Sequence, residues 1–221
     1  MSDTAMAASV ASKPPAGLTA LIWSLAINLL GPYIIFTLAE PHFPPNSTTP
    51  LLLSAAVPAA ELAFLYWRKR VVDVIAIISL TQLIIGIAIT LLAHSASAAI
   101  VGHAMTHAGL GLVFGASVLV GQPLVQLLAR QTMAGNDAER QARFDEIAKL
   151  DGARRVCVRL AWIWMATLCA NSAILLVAAR ILPTRDYVLA SSIISYGILG
   201  LLIWGGIRYG RRAARQAAAR Q

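Results

Sequence analysis

The sequence predicts an all-α membrane protein, a bundle of six transmembrane helices, and three observations carry that prediction. Of 221 residues, 58% are hydrophobic and only 13% are charged, with a mean hydropathy of +0.70; a soluble domain has roughly a quarter of its residues charged. Apolar runs recur along the whole chain, each long enough for a hydrocarbon core that takes about 20 helical residues. None of them alternates with a period of two, and a backbone in lipid must satisfy its polar groups internally, so helices are expected rather than a barrel.

The first run covers residues 17–39. It follows a tail of small and polar residues, 1–16, that holds Asp3 and Lys13, and it ends in "FTLAEPHF", which offers no convincing small-x-small cleavage site. It is therefore read as a retained helix and not as a signal peptide. Further runs cover 50–67, 71–93, 99–124, 160–179 and 187–207. Together they make one transmembrane domain over 17–207, with a cytoplasmic loop at 130–159 and a basic tail at 208–221.

Lysine and arginine set the expected orientation. Lys13, the "RKR" run at 68–70, Arg130 to Arg159 in the fourth loop and Arg208 to Arg220 in the tail all fall on one side. The other side has "EPHFPPNSTT" and "HSASAA" with no basic residue, and "RILPTRDY" with Arg180 and Arg185. The positive-inside rule then puts both termini in the cytoplasm. The net charge of +8 and the pI near 10.2 are accounted for in the same way. Juxtamembrane arginines hold topology and attract anionic headgroups at about 1 kcal/mol each, so the expected partner is the lipid bilayer and not nucleic acid.

A weak internal similarity relates "IWSLAINLLGPYIIFTLAEPHFP" from Ile22 to "IWMATLCANSAILLVAARILP" from Ile163. Each has Ile-Trp near its start, an asparagine in the middle (Asn28, Asn171) and a proline beyond its end (Pro44, Pro183). If it reflects duplication, the first two and last two helices form a parallel repeat about an axis along the membrane normal.

Polar residues inside apolar helices are costly and tend to face the bundle interior or water. Asn28, Glu61, Gln82 and Asn171 stand out on that ground. Asn28 precedes Gly31-Pro32, where proline removes a backbone hydrogen bond and favours a kink. Glu61 lies seven residues before Arg68 and near Pro58, which suits an ion pair at the interface or a proton-carrying site. In the fourth run Gly111 and Gly115 form a small-xxx-small pair, expected in helix packing or in self-association of the chain.

All four histidines fall on the predicted non-cytoplasmic side: His42, His94, His103 and His107. His103 and His107 in "VGHAMTHAGLGLVF" lie one helical turn apart, a spacing able to chelate a transition metal or offer an axial ligand to haem. Glu40 and His42 are the neighbouring candidates to complete such a metal set. HxxxH without an acidic neighbour is a common pattern, however, so helix-end imidazoles are the favoured reading and no cofactor is predicted. Cys157 lies just before the fifth run and Cys169 within it, twelve residues on, which is about 18 Å of helix rise, so they cannot pair with each other there.

The run "INLLGPYIIFTLAEPH", the aromatic residues and "RKR" closing the second helix, "GLGLVFGASVLVGQPLVQLLAR" and "ARFDEIAKLDGARR" together resemble small bacterial inner-membrane proteins similar to intracellular septation protein A. The resemblance spans roughly 20–207 and rests on hydropathic order and these short runs. It implies a multi-pass protein of the bacterial inner membrane that works through contacts with other membrane proteins in envelope or division assemblies, and it brings no catalytic motif. No nucleophile–base constellation, glycine-rich phosphate loop or cofactor fingerprint occurs in the sequence, so enzymatic activity is not expected. The alternative is a small transporter or an ion- or metal-handling protein that uses the intramembrane polar residues and the histidine cluster.

Overall fold

A computed structural model describes residues 29–69, 74–135 and 137–218. Every regular element among them is helical. α1 (29–39) runs into a 3-10 turn over Glu40–His42. There follow α2 (Thr49–Lys69), α3 (Val74–Leu92), α4 (Ala96–Leu119), α5 (Leu124–Ala134), α6 (Ala138–Ala148), α7 (Asp151–Ile181) and α8 (Thr184–Ala218). Among the described residues three helices are long and apolar enough to cross a membrane: α4, α7, and α8 over Thr184–Gly210. α2 and α3 carry shorter apolar stretches, Thr49–Phe64 and Ile77–Leu92. Asn28, the start of the first predicted run and the 70–73 turn lie outside the described residues.

The short connections 43–48, 93–95 and 182–183 gather at one end of the bundle, the loop end. Ser95 caps α4 there by accepting from the Ala98 amide at 3.2 Å, the usual way to satisfy an orphan donor of the first turn. Asn46 ties the neighbouring loop to the same helix start. Its carbonyl accepts from the Ala96 amide, and its side-chain oxygen accepts from the amide and hydroxyl of Ser97, both at 3.1 Å. Asn46 has φ +61°, a left-handed conformation that asparagine tolerates better than most residues.

α4 and α7 form the central pair. A Cβ on Gly111 would lie 3.0 Å from the Met165 carbonyl oxygen and 3.1 Å from Leu168 Cβ, and one on Gly115 would run into Met165 Sδ. Both glycines are buried against α7 of the same chain, so their smallness serves the close approach of these two helices. Two apolar clusters pin this pair. Near the basic end Phe114, Val125, Ala161 and Leu168 pack together, with Trp164 against Phe114 at a ring separation of 4.9 Å. At the loop end Ile100, Ala178 and Tyr187 do the same. α1 leans on α2, where Val57 sits over Gly31, and the Arg185 guanidinium lies over the Tyr33 ring at 5.9 Å.

At the basic end the structure departs from the predicted boundaries. The fourth run, expected to reach Leu124, stops at Leu119: Gly121 turns the chain at φ +82°, and Pro123 leads into α5. The Ser117 hydroxyl oxygen accepts from the Leu124 amide at 3.0 Å and so joins the two helices across the turn. The 130–159 connection, where Phe144, Ile147 and Leu150 recur at near-helical spacing and suit a short amphipathic helix, is largely helical. Asp137 caps α6, and Arg130 on α5 holds Asp145 on α6 through two bonds of 2.8 and 2.9 Å. α7 begins at Asp151, well before the apolar run at 160, and α8 continues past 207 to Ala218. Hydropathy marks where a helix meets lipid, not where its hydrogen bonds end, and the Ala- and Arg-rich flanks are good helix formers.

Candidate functional site

Between the two apolar clusters the α4–α7 pair opens onto a cavity of about 440 Å³, walled also by α2, α3 and α8. Helix rise explains how residues far apart in sequence share one depth. His107 is eleven residues from the start of α4, Asn171 ten from the end of α7, and Ser195 eleven from the start of α8. At 1.5 Å per residue all three lie about 15–17 Å below the loop end.

His103 and His107 both line the cavity and bear on each other electrostatically. His103 is tied down. Its Nε2 is 2.8 Å from Thr90 Oγ1, and the Thr90 hydroxyl donates to the Gly86 carbonyl at 2.9 Å. With that hydrogen committed, the Thr90 oxygen accepts from His103 Nε2–H, which leaves Nδ1 as the basic nitrogen of a neutral ring. The ring also lies on Gly86, where a Cβ would come within 2.7 Å of His103 Cε1. His107 makes no side-chain hydrogen bond among the described residues, so its imidazole remains available to the cavity.

Asn171 is 1% exposed. Its amide nitrogen donates to Ser195 Oγ at 3.4 Å, while its Oδ1 is buried with no partner. A buried acceptor left unsatisfied costs about 1–3 kcal/mol, which makes Asn171 an unusual residue to find in a helix core. Gln82 lines the opposite wall from α3. Glu61 on α2 acts electrostatically on Tyr196, which lines the cavity from α8.

The four-residue metal set considered from sequence is not assembled. Glu40 and His42 sit in the exposed 3-10 turn and do not line the cavity; His42 Nδ1 instead lies 3.0 Å from the Leu38 carbonyl. Among the described residues no group of three or more His, Cys, Asp or Glu side chains is placed to hold a metal ion. The sequence reading passed over Ser191, Ser192, Ser195 and Tyr196, which line the cavity on one face of α8. The signal was present in "YVLASSIISY", where polar groups recur at 187, 191, 192, 195 and 196, the four-residue rhythm of one helix face.

These features define a membrane protein, helical throughout its described residues, with a largely apolar cavity in its helix bundle onto which several polar side chains open. The chain matches no protein-family model, no curated protein and no solved structure.

Proposed function

We propose that this protein is a multi-pass membrane protein that binds a small solute in the cavity between α4, α7 and α8 and moves it across the bilayer. The observation that carries this reading is the gathering of His103, His107, Asn171 and Ser195 around one cavity in membrane-crossing helices. Polar residues are rare at such depth, and a packed structural bundle would be more stable without a buried amide oxygen that lacks a partner. Reconstitution into liposomes tests it. Solute-driven charge movement or uptake on a solid-supported membrane should fall at least tenfold in His107→Ala and Glu61→Gln, with folding retained. Transport unaffected by either substitution would sink this reading.

In this reading the chain crosses the bacterial inner membrane six times with both termini in the cytoplasm. The apolar stretches of α2 and α3 and the side-biased arginines support that count and orientation. A parallel repeat of the first two and last two helices is part of the proposal. α2 and α8 both descend from the loop end and both line the cavity, as such a repeat requires. Cysteines placed at His94 and Arg212 should react with a membrane-impermeant thiol reagent from opposite sides.

A second reading, drawn from the resemblance to septation-type proteins, is an envelope or division partner. It is favoured by Ile147 and Leu150, 59% and 63% exposed at the end of α6 beside the Arg130–Asp145 pair. Photo-crosslinking from position 147 in cells would capture a specific membrane protein under this reading, and only lipid under the first.

A further inference from the structure

We propose that the cavity selects a small protonated amine, a cation with N–H donors on an apolar body; this rests on the solute-binding reading above. The reason lies in where the hydroxyl hydrogens go. Thr106 donates to the His103 carbonyl at 2.7 Å, Ser54 to Leu51 at 2.7 Å, and Ser191 and Ser192 both to Val188 at 3.1 Å. Each of these residues lines the cavity with its hydrogen committed to its own helix, so what remains is an oxygen lone pair.

The other polar groups add to the same side. Asn171 Oδ1 is an orphan acceptor. His107 offers one ring nitrogen as a further acceptor. The donors on the wall are the hydroxyls of Tyr187, Ser195 and Tyr196, the Gln82 amide and one ring N–H of His107, whereas the four hydroxyls above present only oxygen. Among the described residues no lysine, arginine, aspartate or glutamate lines the cavity, so selection rests on the uncharged lone pairs and not on a countercharge. A carboxylate or phosphate would face lone pairs, whereas an ammonium presents hydrogens to them. Leu110, Leu168, Leu175 and Leu199 complete the wall and suit a hydrocarbon body.

The test is calorimetric titration of the purified full chain in nanodiscs with benzylammonium, benzyltrimethylammonium and benzoate, which share a ring and differ in charge and N–H donors. Benzylammonium should bind, and at least tenfold more weakly to Asn171→Leu, because a hydrogen bond to a charged group is lost. Thr106→Val, isosteric and remote from the Asn171–Ser195 pair, should weaken it in the same direction and guards against a folding artefact in the first variant. Equal binding of benzyltrimethylammonium would overturn the N–H rule. Benzoate binding that depends on Asn171 would overturn the amine class while leaving the cavity as a solute site. If no probe binds, or if binding ignores both substitutions, the amine proposal falls. Loss of the solute-site reading itself would need the liposome assay to be silent as well.

Discussion

His103 and Thr90, thirteen residues apart on adjacent helices, meet through a bond of 2.8 Å from the imidazole Nε2 to a hydroxyl whose own hydrogen is donated to Gly86. The relay sets the ring tautomer and anchors α3 to α4 beside the cavity. Thr90→Val should therefore destabilise the protein by about 1–2 kcal/mol, by leaving a buried N–H unmet. Nitrogen NMR of the labelled histidine should show a neutral Nε2–H ring in the wild type and a mixed population in the variant.

Gly86→Ala tests the same contact by crowding. Its Cβ would sit 2.7 Å from His103 Cε1 and 3.2 Å from Nδ1, so the ring must leave its bond to Thr90. Thermal unfolding in detergent should show a loss at least as large as in Thr90→Val. The double variant Gly86→Ala/His103→Ala should recover part of it, since the crowded ring is then gone.

The two glycines of α4 should differ in their tolerance of a methyl group. At Gly111 the nearest obstacle is the Met165 backbone carbonyl oxygen at 3.0 Å, which cannot move without the helix. At Gly115 it is the flexible end of the Met165 side chain. Gly111→Ala should cost about 1–3 kcal/mol and Gly115→Ala less, with Met165→Ala rescuing only the second. Equal costs at the two sites would contradict this packing.

Asn171→Leu should leave stability unchanged or raise it while weakening benzylammonium binding at least tenfold. It removes an unpartnered buried oxygen and only one long bond, of 3.4 Å, and it keeps similar volume. A melting temperature that rises as binding is lost is the pattern expected where a polar group is retained for a ligand and not for the fold. A large drop in melting temperature would mean that Asn171 is structural.

Asp145→Asn should loosen α6 from α5 with little change in global stability. The Arg130–Asp145 pair is bidentate but over a third exposed on both sides, so its worth is on the order of 1 kcal/mol or less. Hydrogen exchange over 138–148 should quicken in the variant while exchange over α4 and α7 stays the same.

Much of the architecture was legible because membrane helices announce themselves locally. A run such as 187–207 needs no knowledge of its neighbours to be read as a helix. The ends were less legible. Val120–Pro123 breaks the fourth run through a positive φ at Gly121 and a Ser117 hydroxyl bonded to Leu124, and the arginine-rich flanks of α7 and α8 stay helical though they are not apolar. Glu61, Gln82, Asn171, His103 and His107 were all singled out by their chemistry. What joins the last four around one cavity was not visible, because no local pattern says which faces of α2, α3, α4, α7 and α8 meet.

The sequence alone determined that the chain is helical and built for a membrane, where its apolar runs lie, and on which side its arginines gather, since these follow from composition read a few residues at a time. Tertiary structure alone decided that Gly111 and Gly115 face α7, that His42 and Glu40 stay apart from His103 and His107, and that Asn171 keeps an unmatched oxygen beside a row of serines. The difference is physical. Transfer to lipid is a property of each segment by itself, whereas a cavity and its lone pairs exist only where several segments fail to fill the space between them.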